Sequence, residues 1–144
     1  NNMAKTKKEN FKAGRRYSYA TGKRKTSSAR IRLFKGKGVN LVNEKPIEEY
    51  FPGEANKVSW MRPFQLTDTS EKYHVSVRVL GGGVKGQLEA TIHGIARALA
   101  SLDSLKLRPK LKKAGLLKRD ARERQRRMIG TGGKARRKKQ SPKR

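Results

Sequence analysis

Positive charge is laid along this chain so unevenly that only its middle can fold unaided. Residues 106–144 hold eighteen Lys and Arg against two acids and residues 1–16 hold six against one, while residues 17–105 hold fourteen against eight. Of the formal net charge of +27, +16 sits in the C-terminal stretch. Segments so charged and so poor in large apolar groups bury too little surface to offset the entropy of ordering. A globular domain is expected over residues 17–117, flanked by a basic extension over 1–16 and an extended basic arm over 118–144. Like charges at this density repel until a polyanion supplies the countercharge.

The polyanion is expected to be nucleic acid or an anionic membrane. A membrane partner requires a long apolar span or a cationic helix with a clean apolar face. No apolar run here reaches ten residues, and the most basic stretch has few large apolar groups. Nucleic acid is therefore the expected partner, not a membrane. The opening, Asn1-Asn2-Met3-Ala4-Lys5, and the basic residues behind it show no secretory pattern. The absence of cysteine removes disulfides, thiolate metal sites and cysteine nucleophiles, and suits a reducing compartment.

The middle reads as mixed α and β. Ala29, Ile31 and Leu33 alternate with Arg30 and Arg32, predicting a strand over 28–34. Lys35-Gly36-Lys37-Gly38 turns into a second strand, Val39 to Val42. Asn43 to Pro46 turns again, with Pro46 placed to open a short helix through Tyr50. A further helical turn or two is expected at 55–62, stopped before Pro63. Tyr73, Val75, Val77 and Val79 alternate with His74, Ser76 and Arg78 in another strand. Leu88, Ile92, Ile95, Leu99 and Leu102 step by four, three, four and three, which predicts a helix over 87–102. Glu89, His93 and Arg97 fall on its outer face. A short helix follows, with Pro109 in its first turn and Gly115 at its stop. Beyond Leu117 periodicity ends.

Gly81-Gly82-Gly83-Val84-Lys85-Gly86 matches G-x-G-x-x-G, follows a strand and opens a helix, as a dinucleotide fingerprint does. Its context does not continue, because the next suitably spaced acid, Asp103, ends a helix and not a second strand. Gln87 stands where a P-loop needs lysine. Two readings stay open: a flexible crossing from strand to helix, and a phosphate seat made by backbone N–H groups and Lys85. His74 and His93 lie on polar faces with no third ligand in reach, so a solvated or RNA-facing imidazole is expected. The acids are scattered and form no acid–base dyad. No catalytic residue, metal or cofactor is expected.

In Gly22-Lys23-Arg24-Lys25-Thr26-Ser27 the cations neutralise phosphates, and the hydroxyls of Thr26 and Ser27 can donate to phosphate oxygens. Tyr17 and Tyr19 are placed either to stack on bases or to pack in the core. Arg30, Arg32, Arg97, Lys112 and Lys113 extend the expected contact surface. The arm supplies Lys118, Arg119, Arg122, Arg124, Arg126, Arg127, Lys134, Arg136, Arg137, Lys138 and Lys139. Fully extended, it reaches on the order of 90 Å. Such a length suits threading between RNA helices and ordering on binding.

Taken in order, several blocks carry a resemblance. They are Tyr19-Ala20-Thr21-Gly22-Lys23-Arg24-Lys25-Thr26-Ser27 with Ala29-Arg30, then Gly81-Gly82-Gly83 with Gly86-Gln87, then Gly94-Ile95-Ala96-Arg97-Ala98-Leu99. Leu107-Arg108-Pro109, Leu111 to Leu117, Arg119-Asp120-Ala121-Arg122 and the terminal Lys143-Arg144 complete the set. Together they resemble the family of protein nine of the small ribosomal subunit, bacterial type. The resemblance implies an α+β fold, a small mixed sheet with packed helices. It also implies a left-handed βαβ crossover, which the general preference for right-handed connections would not select.

It implies further a place in the head of the small subunit, bound to the three-prime domain of the small-subunit rRNA beside neighbouring head proteins. The location would be cytoplasmic or an organelle matrix, with no small-molecule substrate. The arm would reach the decoding region, where Lys143 and Arg144 approach the anticodon stem-loop of the P-site tRNA. A guanidinium fork matches phosphate oxygens there. The arm departs from the family pattern in three places. Ser141-Pro142 replaces an aromatic residue followed by serine, Lys138 and Lys139 add charge, and Met128 to Gly133 replaces a more basic stretch.

Overall fold

The computed structural model describes residues 16–132. Its strands are β1 (Tyr17–Arg24), β2 (Ser27–Lys35), β3 (Leu41–Val42), β4 (Lys45–Pro46) and β5 (Tyr73–Leu80), in the sheet order β1-β2-β5-β3-β4. Its helices are α1 (Ile47–Tyr50), α2 (Glu54–Thr67), α3 (Val84–Leu102) and α4 (Leu107–Lys113). β2 runs antiparallel to both β1 and β5, whereas β3 lies parallel to β5. The class is α+β with a mixed sheet, as expected.

Alternation decides which face is covered. Ala29, Ile31 and Leu33 of β2 and Val75, Val77 and Val79 of β5 are buried beneath α3, which crosses β1 and β2 while α2 and α4 pack beside it. Arg30, Arg32 and Arg78 stand exposed on the other face. No apolar period announces β1, because its inward residues, Ala20 and Gly22, are too small to show one. Gly22 is small for a steric reason. A Cβ there would overlap Ala90 O and Gly94 N and lie 2.9 Å from Gly94 Cα. Strand and helix touch backbone to backbone.

Several boundaries differ from expectation, each for a local reason. The strand expected from Val39 contracts to Leu41–Val42, because Asn40 uses its side chain where a strand would use its backbone. Its Oδ1 accepts from Val75 N–H at 3.0 Å. Asn43 and Glu44, with φ of 48° and 69°, form a two-residue loop that folds β4 back on β3. Two left-handed residues match the twist of a tight hairpin.

α2 runs through Pro63 to Thr67 instead of stopping at 62. An interior proline costs about 3 kcal/mol. Burying large apolar side chains such as Trp60 and Phe64 contributes about 1.5–3 kcal/mol each, so continuation wins. α3 begins at Val84, one turn before the expected start.

Candidate nucleic-acid interface

Two turns meet at one corner of the domain. Arg24 opposes Ser27 across β1 and β2, which leaves Lys25 and Thr26 as the loop, with Lys25 at φ 51°. Gly81 and Gly82 also take positive φ, 76° and 65°, and press the β5–α3 loop onto this hairpin. A Cβ on Gly82 would overlap Ser27 Oγ, and one on Gly86 would lie 3.0 Å from it. Ser27 is 1% exposed and donates its hydroxyl to Gly81 O at 3.1 Å. Gln87 Nε2 donates to the same carbonyl at 3.0 Å, while its Oε1 accepts from Tyr50 Oη at 2.7 Å. The glycine run is thus a packed crossing. Ser27 is corrected from an expected phosphate donor to an internal one, whereas Thr26 stays exposed.

Arg24 is corrected in the same way. Its side chain is 11% exposed, with Nε 2.6 Å from Glu89 Oε2 and Nη2 3.5 Å from Asp120 Oδ2. Nη1 donates to the Arg122 carbonyl. Arg122 in turn donates through Nη2 to Asp120 Oδ2 at 2.9 Å. The Arg122 side-chain hydrogen bonds, helped by its backbone N–H, hold the Asp120 carboxyl well below the usual carboxylate range, and the Arg122 guanidinium is raised in return. Arg24 therefore buckles the segment of Asp120 and Arg122 to the hairpin and α3.

Replacing Arg24 with alanine is expected to cost about 1–2 kcal/mol. That exceeds the 0.2–1 kcal/mol of an exposed pair but falls short of the 3–5 kcal/mol of a fully buried one, because both acids are more than a third exposed. Amide exchange at residues 118–122 should quicken alongside the drop in melting temperature. Arg24→Lys keeps the charge but not the fork, so it should behave like the alanine variant. A lysine variant as stable as the parent would rule out the buckle.

His93 lies in the same seam. Lys23 N–H donates to its Nδ1 at 3.4 Å, so Nε2 carries the proton and donates to Leu117 O at 3.3 Å. Burial pushes its pKa down, the Leu117 carbonyl opposes that, and Arg97 and Arg119 push it down further. The folded state thus favours the neutral ring more than the unfolded state does. This contribution is complete above the unfolded value of about 6.5 and is lost as pH falls below it. The chain should melt lower at about pH 5 than at about pH 7.5, and His93→Gln should shrink that difference when both are followed by calorimetry. His74 stacks on Phe34 with ring centroids 5.4 Å apart, and its Nδ1 lies 3.0 Å from Gly36 O. Both rings are half-buried and partnered, which sets aside the solvated one of the two expectations, solvated or RNA-facing.

The remaining cations are exposed: Lys23, Lys25, Lys85, Lys112 and Lys113 on the domain, and Lys118, Arg119, Arg122, Arg124, Arg126 and Arg127 beyond it. Lys25, Lys85, Arg122 and Arg124 line one groove of about 400 Å³ together with Glu89 and Glu123. A groove of this kind can screen and seat phosphate oxygens, and it holds no paired nucleophile and base. Arg97, also exposed, donates to Thr21 O at 2.7 Å across the seam. Arg30 and Arg32 lie apart, on the open face of the sheet. There Arg78, which the sequence reading leaves unassigned, stands opposite Arg30.

Lys134, Arg136, Arg137, Lys138, Lys139, Lys143 and Arg144 lie outside the described residues. Among the described residues no three His, Asp or Glu gather as a metal site, and no helix is long and apolar enough to cross a membrane.

Residues 22–144 match the family model described as Ribosomal protein S9/S16. The Small ribosomal subunit protein uS9 of Maridesulfovibrio salexigens is 48% identical over 117 residues, which covers 81% of this chain and 89% of that protein. Its namesake from Solidesulfovibrio magneticus is 49% identical over 117 residues with the same coverage. On a match that runs from Gly22 in β1 to Arg144, the chain belongs to the ribosomal protein S9/S16 family and is a structural ribosomal protein, not an enzyme.

Proposed function

We propose that this chain binds the three-prime, head domain of the small-subunit rRNA through its hairpin corner and arm. The arm then carries Lys143 and Arg144 to the anticodon stem-loop of the P-site tRNA. One observation carries the RNA reading: cations from the hairpin, the first turn of α3 and the arm converge on one groove. Of the two acids in its lining, Glu89 is already paired with Arg24, which leaves Glu123 alone to set against Lys25, Lys85, Arg122 and Arg124. The field left at that corner is positive, which suits phosphate.

Residues 17–117 form the seated domain in this reading, residues 118–144 thread outward, and residues 1–16 add a second basic extension. The working location is the cytoplasmic ribosome, beside other head proteins of the small subunit. The family's left-handed hand would fall on the connection from β3 to β5 through β4, α1 and α2.

Affinity for a head-domain rRNA fragment and for duplex DNA, compared at matched salt, tests the proposal. RNA should bind more tightly, and equal affinities would reduce the chain to a general polyanion binder. Deleting Lys143 and Arg144 should weaken P-site tRNA binding on small subunits while assembly persists. Unchanged tRNA affinity would remove the tip from the proposal.

A further inference from the structure

The uncovered face of the sheet carries a second cationic site, separate from the hairpin corner. Arg30 on β2 and Arg78 on β5 are partners in antiparallel register, and both are exposed. Like charges directly opposite one another destabilise a sheet when nothing neutralises them. Among the described residues no carboxylate pairs with Arg30, Arg32 or Arg78. A groove of about 340 Å³ opens beside them, lined by Tyr19, Arg30, Arg32, Ser76 and Arg78, with the Asn43-Glu44 loop as its wall.

Tyr19 lies across from Arg32 in register and is 44% exposed. Its neighbour Tyr17 is already engaged, packed on Phe34 at 5.6 Å between ring centroids. The Arg32 guanidinium sits 5.3 Å from the Tyr17 centroid. That leaves Tyr19 as the open ring of this face and Arg30 with Arg78 as its open pair of cations.

We infer that this face seats one nucleotide of single-stranded RNA, its phosphodiester bridging Arg30 and Arg78 and the adjoining base lying on the Tyr19 ring. The inference rests on the RNA-binding reading above and deepens it by naming a second surface and the form of RNA it takes. Charge selects the polyanion, since three arginines face a single acid, Glu44, in the groove lining. The aromatic ring selects an unpaired strand, because a duplex offers no free base face. An acidic peptide would meet the charge but give Tyr19 nothing to stack on.

The test uses the full chain and a short single-stranded RNA carrying a fluorescent adenine analogue. The parent should quench the analogue. Tyr19→Leu should abolish the quenching and weaken binding about tenfold, within the range for one stacked base. Arg30→Gln with Arg78→Gln should flatten the dependence of log affinity on log salt by about 0.7 for each arginine. Arg62→Gln with Arg108→Gln, which removes equal charge elsewhere on the exposed surface, should leave the quenching intact.

All variants change exposed side chains and should keep the parent's circular dichroism without melting lower, and the Arg30/Arg78 variant, freed of its cross-strand repulsion, should melt slightly higher. If the parent binds RNA but quenching survives Tyr19→Leu, and the Arg30/Arg78 variant matches the charge control, the inference is overturned and the hairpin-corner reading stands. A parent that binds no RNA overturns both. A polyglutamate peptide that binds the parent more tightly than the RNA does, and loses that binding in the Arg30/Arg78 variant, also overturns it, in favour of a protein partner.

Discussion

Alanine at position 22 is expected to destabilise the domain more than any other change of a single methyl group. The new Cβ would overlap Ala90 O and Gly94 N and sit 2.9 Å from Gly94 Cα. All of these are backbone atoms of α3, so no side chain can rotate away. Relief requires lifting the helix from β1 and β2, which opens the interface that covers Ile31 and Leu33. Overpacking of ordinary cores costs about 1–3 kcal/mol, and this site belongs at or above the upper end. A domain of this kind has only about 5–15 kcal/mol in total. A loss of about 3 kcal/mol corresponds to a fall of roughly 10–20 °C in melting temperature.

Gly94→Ala is the informative companion. Its Cβ would overlap the Ile31 side chain and lie 3.1 Å from Gly22 N. Measured as a double-mutant cycle, Ile31→Ala, which removes both the Cγ1 and the Cδ1 that the new methyl would meet, should recover part of the Gly94→Ala loss and none of the Gly22→Ala loss. A Gly22→Ala protein that melts within about 2 °C of the parent, well under the change expected for 1 kcal/mol, would show that the helix does not rest on the strand as described.

Gly22 also shows where the sequence stops being legible. In the linear chain it opens a basic run, and its neighbours point to phosphate binding. Nothing local marks it as the contact point of a helix more than 65 residues away. The elements that could be read share one property, a side-chain period that local spacing displays. β5 alternates through Val75, Val77 and Val79, and α3 repeats through Leu88, Ile95, Leu99 and Leu102.

Where inward positions are alanine and glycine, as in β1, that period vanishes. Pro63 misled for a related reason: the backbone penalty is local, but the burial that outweighs it comes from α3 and α4. The site followed the same division. Which residues carry charge was plain from the sequence, whereas which charges are free was not. Arg24 is taken up by Glu89, 65 positions along, and Ser27 by Gly81, 54 positions along. The exposed cations Lys25, Lys85 and Arg124 remain, and only the fold brings them into one groove.

Ending the chain after Glu123 is expected to leave the domain folded and to remove most of its affinity for RNA. The segment lost, residues 124–144, has ten Lys and Arg and no acid, while Asp120 and Arg122 stay in place on Arg24. Of the described residues in that segment, 124–130 are exposed, Thr131 and Gly132 are half-buried, and none belongs to the core. What leaves is charge. Easing self-repulsion in the free chain works in favour of the compact state, so the melting temperature at low salt should hold or rise slightly.

RNA binding should respond in the opposite direction and far more strongly. If the ten cations meet ten phosphates, the slope of log affinity against log salt flattens by roughly 7 to 9. A change of that size is worth on the order of a thousandfold or more in affinity at low salt, and it shrinks as salt rises. The two titration curves should therefore converge at high salt, where the domain's own groove carries what binding is left. Parallel curves, offset by a constant factor at every salt concentration, would mean that the arm acts through shape or folding and not through phosphate neutralisation. The division of the chain into a seated domain and a threading arm would then have to be abandoned.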